Sequence, residues 1–302
     1  WTVKVDAAGE KVWDVATGGA SDDELLAVQP ILGWGGFLLA GFSVSNAGGD
    51  KSDNSRAGSF DYWVVAIADL DAVAPKDWDR RFGGTGGDVL DSVHQTTDGG
   101  YILGGDSASG ANGDKSQGSR GMLDYWIVKT DASGSKQWDK RFGGGNSEYS
   151  CGALQTSDGG YILGGDSASG ANGDKSQASR GLEDYWIVKT DATGNKQWDK
   201  RFGGTMSDIM RSIRQTSDGG YILGGISTSG ANGDRSQASR GSYDYWIVKT
   251  DAAGNKQWDK RFGGTMSDIM HSILQTSDGG YILGGYSDSG ANGDKTQVSR
   301  GG

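Results

Sequence analysis

Trp186-Ile187-Val188-Lys189, Lys196-Gln197-Trp198, Arg201-Phe202-Gly203-Gly204, Gln215-Thr216-Ser217-Asp218-Gly219-Gly220-Tyr221 and Ser229-Gly230-Ala231-Asn232-Gly233-Asp234 make up one copy of a unit that recurs along the chain. Its first tryptophan returns at Trp1, Trp63, Trp126, Trp186 and Trp246, at spacings of 62, 63, 60 and 60 residues, so five copies fill the 302 residues. A period this long, with strand-like segments inside it, marks a propeller or a solenoid.

Within the copy, the segments Trp186 to Thr190, Lys196 to Phe202, Ile209 to Thr216 and Tyr221 to Gly225 read as short strands parted by Gly, Asn, Asp and Ser clusters. Asp191-Ala192-Thr193-Gly194 and Ser217-Asp218-Gly219-Gly220 are hairpin turns, because glycine accepts the positive φ that tight turns require. Residues 227–245 form a long polar connection, the kind of loop in which function concentrates. The expected fold is all-β: a single five-bladed β-propeller over residues 1–302, with four antiparallel strands per blade. In strand order, Ile209 to Thr216 is innermost, then Tyr221 to Gly225, Trp246 to Lys249, and Lys256 to Phe262 outermost.

The last copy stops at Arg300-Gly301-Gly302, before its Asp-Tyr-Trp, and Trp1 supplies a tryptophan for that place. Trp1 to Thr17 are therefore expected to complete the blade begun near Leu274 and Tyr281, closing the ring and removing a free sheet edge. About three residues are missing from a perfect period, which is also what a piece of a longer chain would show. The first copy diverges most, with Val15-Ala16-Thr17 in place of Lys-Arg-Phe and Trp34 in place of the turn Asp. The second has a longer turn containing Pro75.

Fifty-five glycines and two prolines fit a protein of many tight turns. Ten of the eleven tryptophans belong to the repeated framework, and each can remove roughly 200 Å² from water. A formal charge of −10 argues against nucleic-acid and anionic-membrane partners, whose footprint is a basic patch. The single Cys151 excludes an internal disulfide. No apolar run approaches the ~20 residues of a membrane span.

Ser-Asp-Gly-Gly-Tyr-Ile-Leu-Gly-Gly, the Gly-Asp polar loop, Asp-Tyr-Trp-Ile-Val-Lys and Gly-Asn-Lys-Gln-Trp resemble the tandem repeats of secreted and surface proteins of Bacteroidota-type bacteria, most strongly from Asp98 onward. The resemblance implies export and a propeller, with no common activity.

The catalytic inventory is thin: His94, His271, one Cys, and no nucleophile-elbow or metalloprotease motif. A glycosidase pair of carboxylates would need acids unique to single blades, whereas most Asp here are copied. No enzyme and no cofactor are expected. The recurring Asn112/Asp114, Asn172/Asp174, Asn232/Asp234 and Asn292/Asp294 (Gly48-Gly49-Asp50 in the first copy) have calcium-like oxygen chemistry. Turn formation by these residues is the favoured reading, and the Lys or Arg that follows argues against a bound cation. Arg56, Arg120, Arg180, Arg240 and Arg300 precede the third strand, and Asp61, Asp124, Asp184 and Asp244 precede its Trp. One Arg–carboxylate pair per blade would hold the long loop down; the functional alternative is a repeated sugar or carboxylate pocket.

The copies differ at few places. One inner-strand position carries Ala27, Asp91, Cys151, Arg211 and His271; the end of the second strand carries Phe42, Asp106, Asp166, Ile226 and Tyr286. A third site is Ser59-Phe60, Met122-Leu123, Leu182-Glu183 and Ser242-Tyr243. A unique ligand needs residues that differ between blades, so Asp91, Arg211 and His271, with Asp106 and Tyr286 at the rim, are its expected site. Arg120, Arg180, Arg240, Asp114, Asp174 and Asp234 are the candidates for repeated weaker sites. The expected function is a monomeric, non-enzymatic binding or adhesion module, extracellular or at the cell surface, that presents its polar loops to glycan or protein. A structural spacer in a larger surface protein is the alternative.

Overall fold

The computed structural model describes residues 1–33, 35–69 and 76–299. Trp34, Pro75 and Arg300, which figure in the reading above, lie outside the described residues. Twenty strands account for all the regular structure described. β1 (Thr2–Val5) and β2 (Lys11–Val15) form a two-stranded sheet. β3 (Asp23–Ile31), β4 (Gly36–Ser43), β5 (Asp61–Ala68) and β6 (Lys76–Phe82) form a four-stranded sheet in that order. Three more sheets repeat this order: β7 (Asp88–Gln95), β8 (Tyr101–Ser107), β9 (Asp124–Thr130) and β10 (Lys136–Phe142); β11 (Glu148–Gln155), β12 (Tyr161–Ser167), β13 (Asp184–Thr190) and β14 (Lys196–Phe202); β15 (Asp208–Gln215), β16 (Tyr221–Ser227), β17 (Asp244–Thr250) and β18 (Lys256–Phe262). β19 (Asp268–Gln275) and β20 (Tyr281–Ser287) close the series as a second two-stranded sheet. The two outer hairpins thus stand as separate two-stranded sheets, where the sequence had suggested one shared four-stranded one.

The chain resolves into two compact units, residues 1–141 with 153–155, and residues 142–152 with 156–302. In the first, Trp13, Leu39, Trp63, Val65 and Ile67 join the β1–β2 hairpin to the β3–β6 sheet. On that sheet's other face, Tyr62, Val64, Leu90, Leu103 and Trp126 join it to β7–β10. In the second, Ile222, Ile226, Ile247, Met270 and Ile273 seat β19–β20 on the β15–β18 sheet. The middle strands are therefore covered on both faces and buried at every residue in β8, β9, β12, β13 and β16. Their continuous apolar runs follow from this, because only a strand with one wet face must alternate.

Successive sheets are joined by two repeated polar bonds. The Tyr62 hydroxyl donates to the Trp126 carbonyl at 3.0 Å in the first unit, and Tyr185 to that of Trp246 at 2.9 Å in the second. Each phenol passes over a glycine, since a Cβ at Gly225 would lie 2.8 Å from the Tyr185 hydroxyl and 2.1 Å from the Ile209 carbonyl oxygen. At the other end of the sheets, the Gln215 side chain accepts the Ser157 N–H, and Gln275 that of Ser217, both at 2.8 Å. Each third-strand indole N–H bonds a fourth-strand carboxylate, as Trp186 does Asp199 at 3.0 Å. Trp126, Trp186 and Trp246 are fully buried, so these three serve packing, whereas Trp1 is exposed.

Candidate functional site

The long loop after each second strand is built around its own cation. Lys115 Nζ donates to Ser107 Oγ at 2.7 Å, the Ser109 carbonyl at 3.1 Å and Ser119 Oγ at 2.7 Å, and it is almost wholly buried. Lys51 repeats the set on Ser43, Ser45 and Ser55, Lys175 on Ser169 and Ser179, and Lys295 on Ser289 and Ser299. Burial pushes Lys115 and Lys175 down to about 8, while nearby carboxylates, Asp88 and Asp184 foremost, act against that shift. The basic residue after Asn-Gly-Asp, which in the sequence argued only against a bound ion, supplies the loop's cation. Its five-fold recurrence at one place was the available signal. In the fourth copy Arg235 stands there; it reaches Ser229 and Ser239 but leaves Nε and Nη2 buried without partners.

The Asn-Gly-Asp segment is a turn, as expected, and it also bridges to the preceding sheet. Asn112 Oδ1 accepts the Thr85 N–H at 2.8 Å, and Asp114 Oδ2 the Gly83 N–H at 3.2 Å. Gly113 takes φ +63°, a left-handed conformation suited to glycine.

The loop aspartates Asp114, Asp234 and Asp294 are also gripped by arginines. Asp234 Oδ2 lies 2.8 Å from Arg180 Nη1 and 2.9 Å from Arg201 Nη1; Asp294 repeats this with Arg240 and Arg261 at 2.9 and 3.1 Å. Asp114 pairs with Arg56 at 3.1 Å and Arg81 at 3.7 Å. The expected Arg–carboxylate pair exists with a different acid. Asp61, Asp124, Asp184 and Asp244 instead accept the backbone N–H of Arg56, Arg120, Arg180 and Arg240. Burial pushes Asp61 and Asp184 up to about 6, against the hydrogen bonds they accept. Asp174 Oδ2 accepts the Gly143 N–H at 3.2 Å, and Arg120 has partners of its own. Arg180, Arg240, Asp114 and Asp234 are thus committed to holding the loops.

The variable inner-strand position is a β-bulge. Pairing skips a residue between Met210 and Ser212, between Met270 and Ser272, and between Leu90 and Ser92, so Arg211, His271 and Asp91 have no cross-strand partner. In the first copy the skip falls between Leu25 and Ala27. The equivalent residue is therefore Leu26, and the alignment of Ala27 with Asp91 was one residue late. Bulges re-aim a side chain. Their sequence trace is the broken alternation of Ile209-Met210-Arg211-Ser212-Ile213.

The predicted ligand residues fall into two environments. Asp91 and Asp106, in the first unit, are inward: Asp106 is buried, and Asp91 Oδ2 is enclosed with no hydrogen-bond partner. Burial, reinforced by the Asp106 charge, holds Asp91 well above the usual carboxylate range. Arg211, His271 and Tyr286, in the second unit, are exposed, and the His271 and Tyr286 rings lie 5.8 Å apart. Cys151 is partly buried, and Ile226 is packed against the β19–β20 sheet. Beside the long loops Met122, Leu182 and Phe60 are exposed, at 73, 61 and 38%. Among the described residues no group of three or more His, Cys, Asp or Glu is placed to hold a metal ion.

No protein-family model and no curated protein matches the chain. Among solved structures it is similar to a protein of unknown function from Bacteroides caccae, with 10% identity, 79% of this chain and 81% of that one covered, and a TM-score of 0.28. The repeated antiparallel units of about 60 residues make this a tandem-repeat β-structure.

Proposed function

We propose that the chain is a non-enzymatic binding or adhesion module, exported to the cell surface, which presents its long-loop face to glycan or protein. The supporting observation is a contrast on that face. Every loop is anchored by its own cation, buried in the first four copies, and most by an arginine bridge, while the side chains that differ between copies, Phe60, Met122, Leu182, Arg211 and Tyr286, stand exposed beside them. Rigid loops bearing exposed, varied side chains lower the entropy cost of binding. A frame meant only as a spacer needs no such variation, although the near-identity of the last copies favours that second reading.

In the same reading the architecture is a five-bladed β-propeller, with β1–β2 equivalent to the outer strand pair and β19–β20 to the inner strand pair of a repeat. Its support is sequence equivalence. Trp1-Thr2-Val3-Lys4 matches Trp246-Ile247-Val248-Lys249, and the partner of the latter, β16, corresponds to β20. A glycan array tests the function: hits support the module, and a silent array with a cooperatively melting protein supports the spacer. Because Arg180 and Arg240 serve the loops, alanine variants at Met122 and Leu182 are the suitable probes of the surface.

A further inference from the structure

Arginine in this acidic chain is almost entirely committed to structure. Arg56, Arg81, Arg141, Arg180, Arg201, Arg240 and Arg261 are ion-paired; Arg80, Arg214 and Arg235 donate to carbonyls or hydroxyls; Arg120 has partners as well. Among the described residues Arg211 alone has no hydrogen bond and no ion pair, and it is exposed. It stands on the β15 bulge, toward the end of the sheet that carries the long loop, since Asp208 pairs with Ser227 there.

The neighbouring inner strand, β19, packs against β15 and β16 and places His271 at the same bulge position. His271 is exposed and rests against the Tyr286 ring, 5.8 Å away at 37°. The second unit thus offers, at one level of two adjacent strands, a free guanidinium and an exposed aromatic pair. The bulge residues of the first unit, Leu26 and Asp91, offer neither.

We propose that Arg211, His271 and Tyr286 form a site for a carboxylate-bearing sugar, a uronate. The proposal rests on the binding-module reading and supplies its ligand class. A guanidinium with all its donors free takes a carboxylate in a two-pronged, charge-assisted contact, which a lysine does not reproduce. An exposed aromatic surface beside it suits the apolar face of a pyranose ring, because phenol and imidazole present an apolar body with a polar tip. The fork and the ring together select a sugar acid over a neutral sugar or a plain carboxylate.

Titration calorimetry at low ionic strength with trigalacturonate, its methyl ester, maltotriose and hexaglutamate tests this. Trigalacturonate is expected to bind. Affinity should fall about tenfold or more in Arg211→Ala and for the methyl ester, and by a similar factor in Arg211→Lys, which keeps the charge and loses the fork. Tyr286→Ala should weaken trigalacturonate and leave any hexaglutamate binding unchanged. Both residues are exposed, and thermal melts confirm that each variant is folded. Equal binding of maltotriose, equal binding of hexaglutamate, or unchanged affinity in Arg211→Ala would overturn the assignment. If trigalacturonate fails while neutral glycans on the array bind, the uronate class falls and the binding module stands; if the array is silent too, both fall.

Discussion

The hydroxyl of Tyr185 donates to the carbonyl oxygen of Trp246 at 2.9 Å, across the junction between two successive sheets of the second unit. Both partners are fully buried, and Trp246 also pairs with Gly225 in the β16–β17 ladder, so the hydroxyl supplies a second bond at that carbonyl. Tyr185→Phe is expected to cost about 0.5–1.5 kcal/mol, the net worth of one hydrogen bond, with the m-value unchanged in urea unfolding. Tyr62→Phe should behave alike in the first unit, where the same bond is made to Trp126.

Arg235→Lys should stabilise the protein. Arg235 leaves Nε and Nη2 buried without partners, whereas Lys115 in the equivalent loop satisfies all three donors on Ser107, Ser109 and Ser119. Little of the contact with the tryptophan face is lost, since Lys115 lies 6.0 Å from the Trp126 ring where Arg235 lies 5.5 Å from that of Trp246. The gain should be about 1 kcal/mol or more, read from the urea midpoint. The reverse change, Lys115→Arg, should lose a comparable amount.

Asp234→Ala and Arg180→Ala should differ sharply although they break the same contact. Removing Asp234 leaves Arg201, whose side chain is only 6% exposed, with just the longer contact to Asp184 at 3.5 Å, and takes away the acceptor for the Gly203 N–H. That should cost about 3 kcal/mol. Arg180 is 38% exposed, and its loss leaves Asp234 still paired with Arg201, so a change of under about 1 kcal/mol is expected. Equal losses in guanidinium unfolding would contradict the bridge as described.

Two sets of buried groups give stability opposite slopes with pH. Asp61 and Asp184, raised to about 6 by burial, hold more protons folded than unfolded between roughly pH 4 and 6. Their stabilising share is complete below the unfolded value and is lost as pH rises through 6. Lys115 and Lys175, lowered to about 8 by burial, hold fewer protons folded than unfolded between about pH 8 and 10.4, so stability rises with pH in that window. Tyr62 and Tyr185, pushed well above their usual range by burial, reverse the trend beyond about pH 10. Urea midpoints across pH should show both slopes. Asp184→Asn should flatten the acid one, and Lys175→Met the alkaline one.

The sequence by itself determined the repeat, the strands and the tight turns, because these depend on local pattern. The 60-residue spacing, the Asp-Gly-Gly turns and the tryptophan pairs are read from neighbours in the chain, and the strand order within each four-stranded sheet follows from short hairpins and one long loop. Strand limits moved by one or two residues, as β13 starting at Asp184 shows, because Asp184 extends the ladder by pairing with Ser167. Which polar residues are structural was decided only in three dimensions. Lys115 reads as one more surface lysine until Ser107, Ser109 and Ser119 close around it. Asp234 reads as a turn residue until Arg180 and Arg201 converge on it from the preceding copy. The same holds for the variable residues, since a bulge is a fault in pairing between two strands, and the broken alternation in one strand marks its place without saying which way the skipped side chain turns. Tertiary packing enclosed Asp91 and left Arg211 exposed at the corresponding place, for burial depends on what lies across the junction and not on position in the repeat.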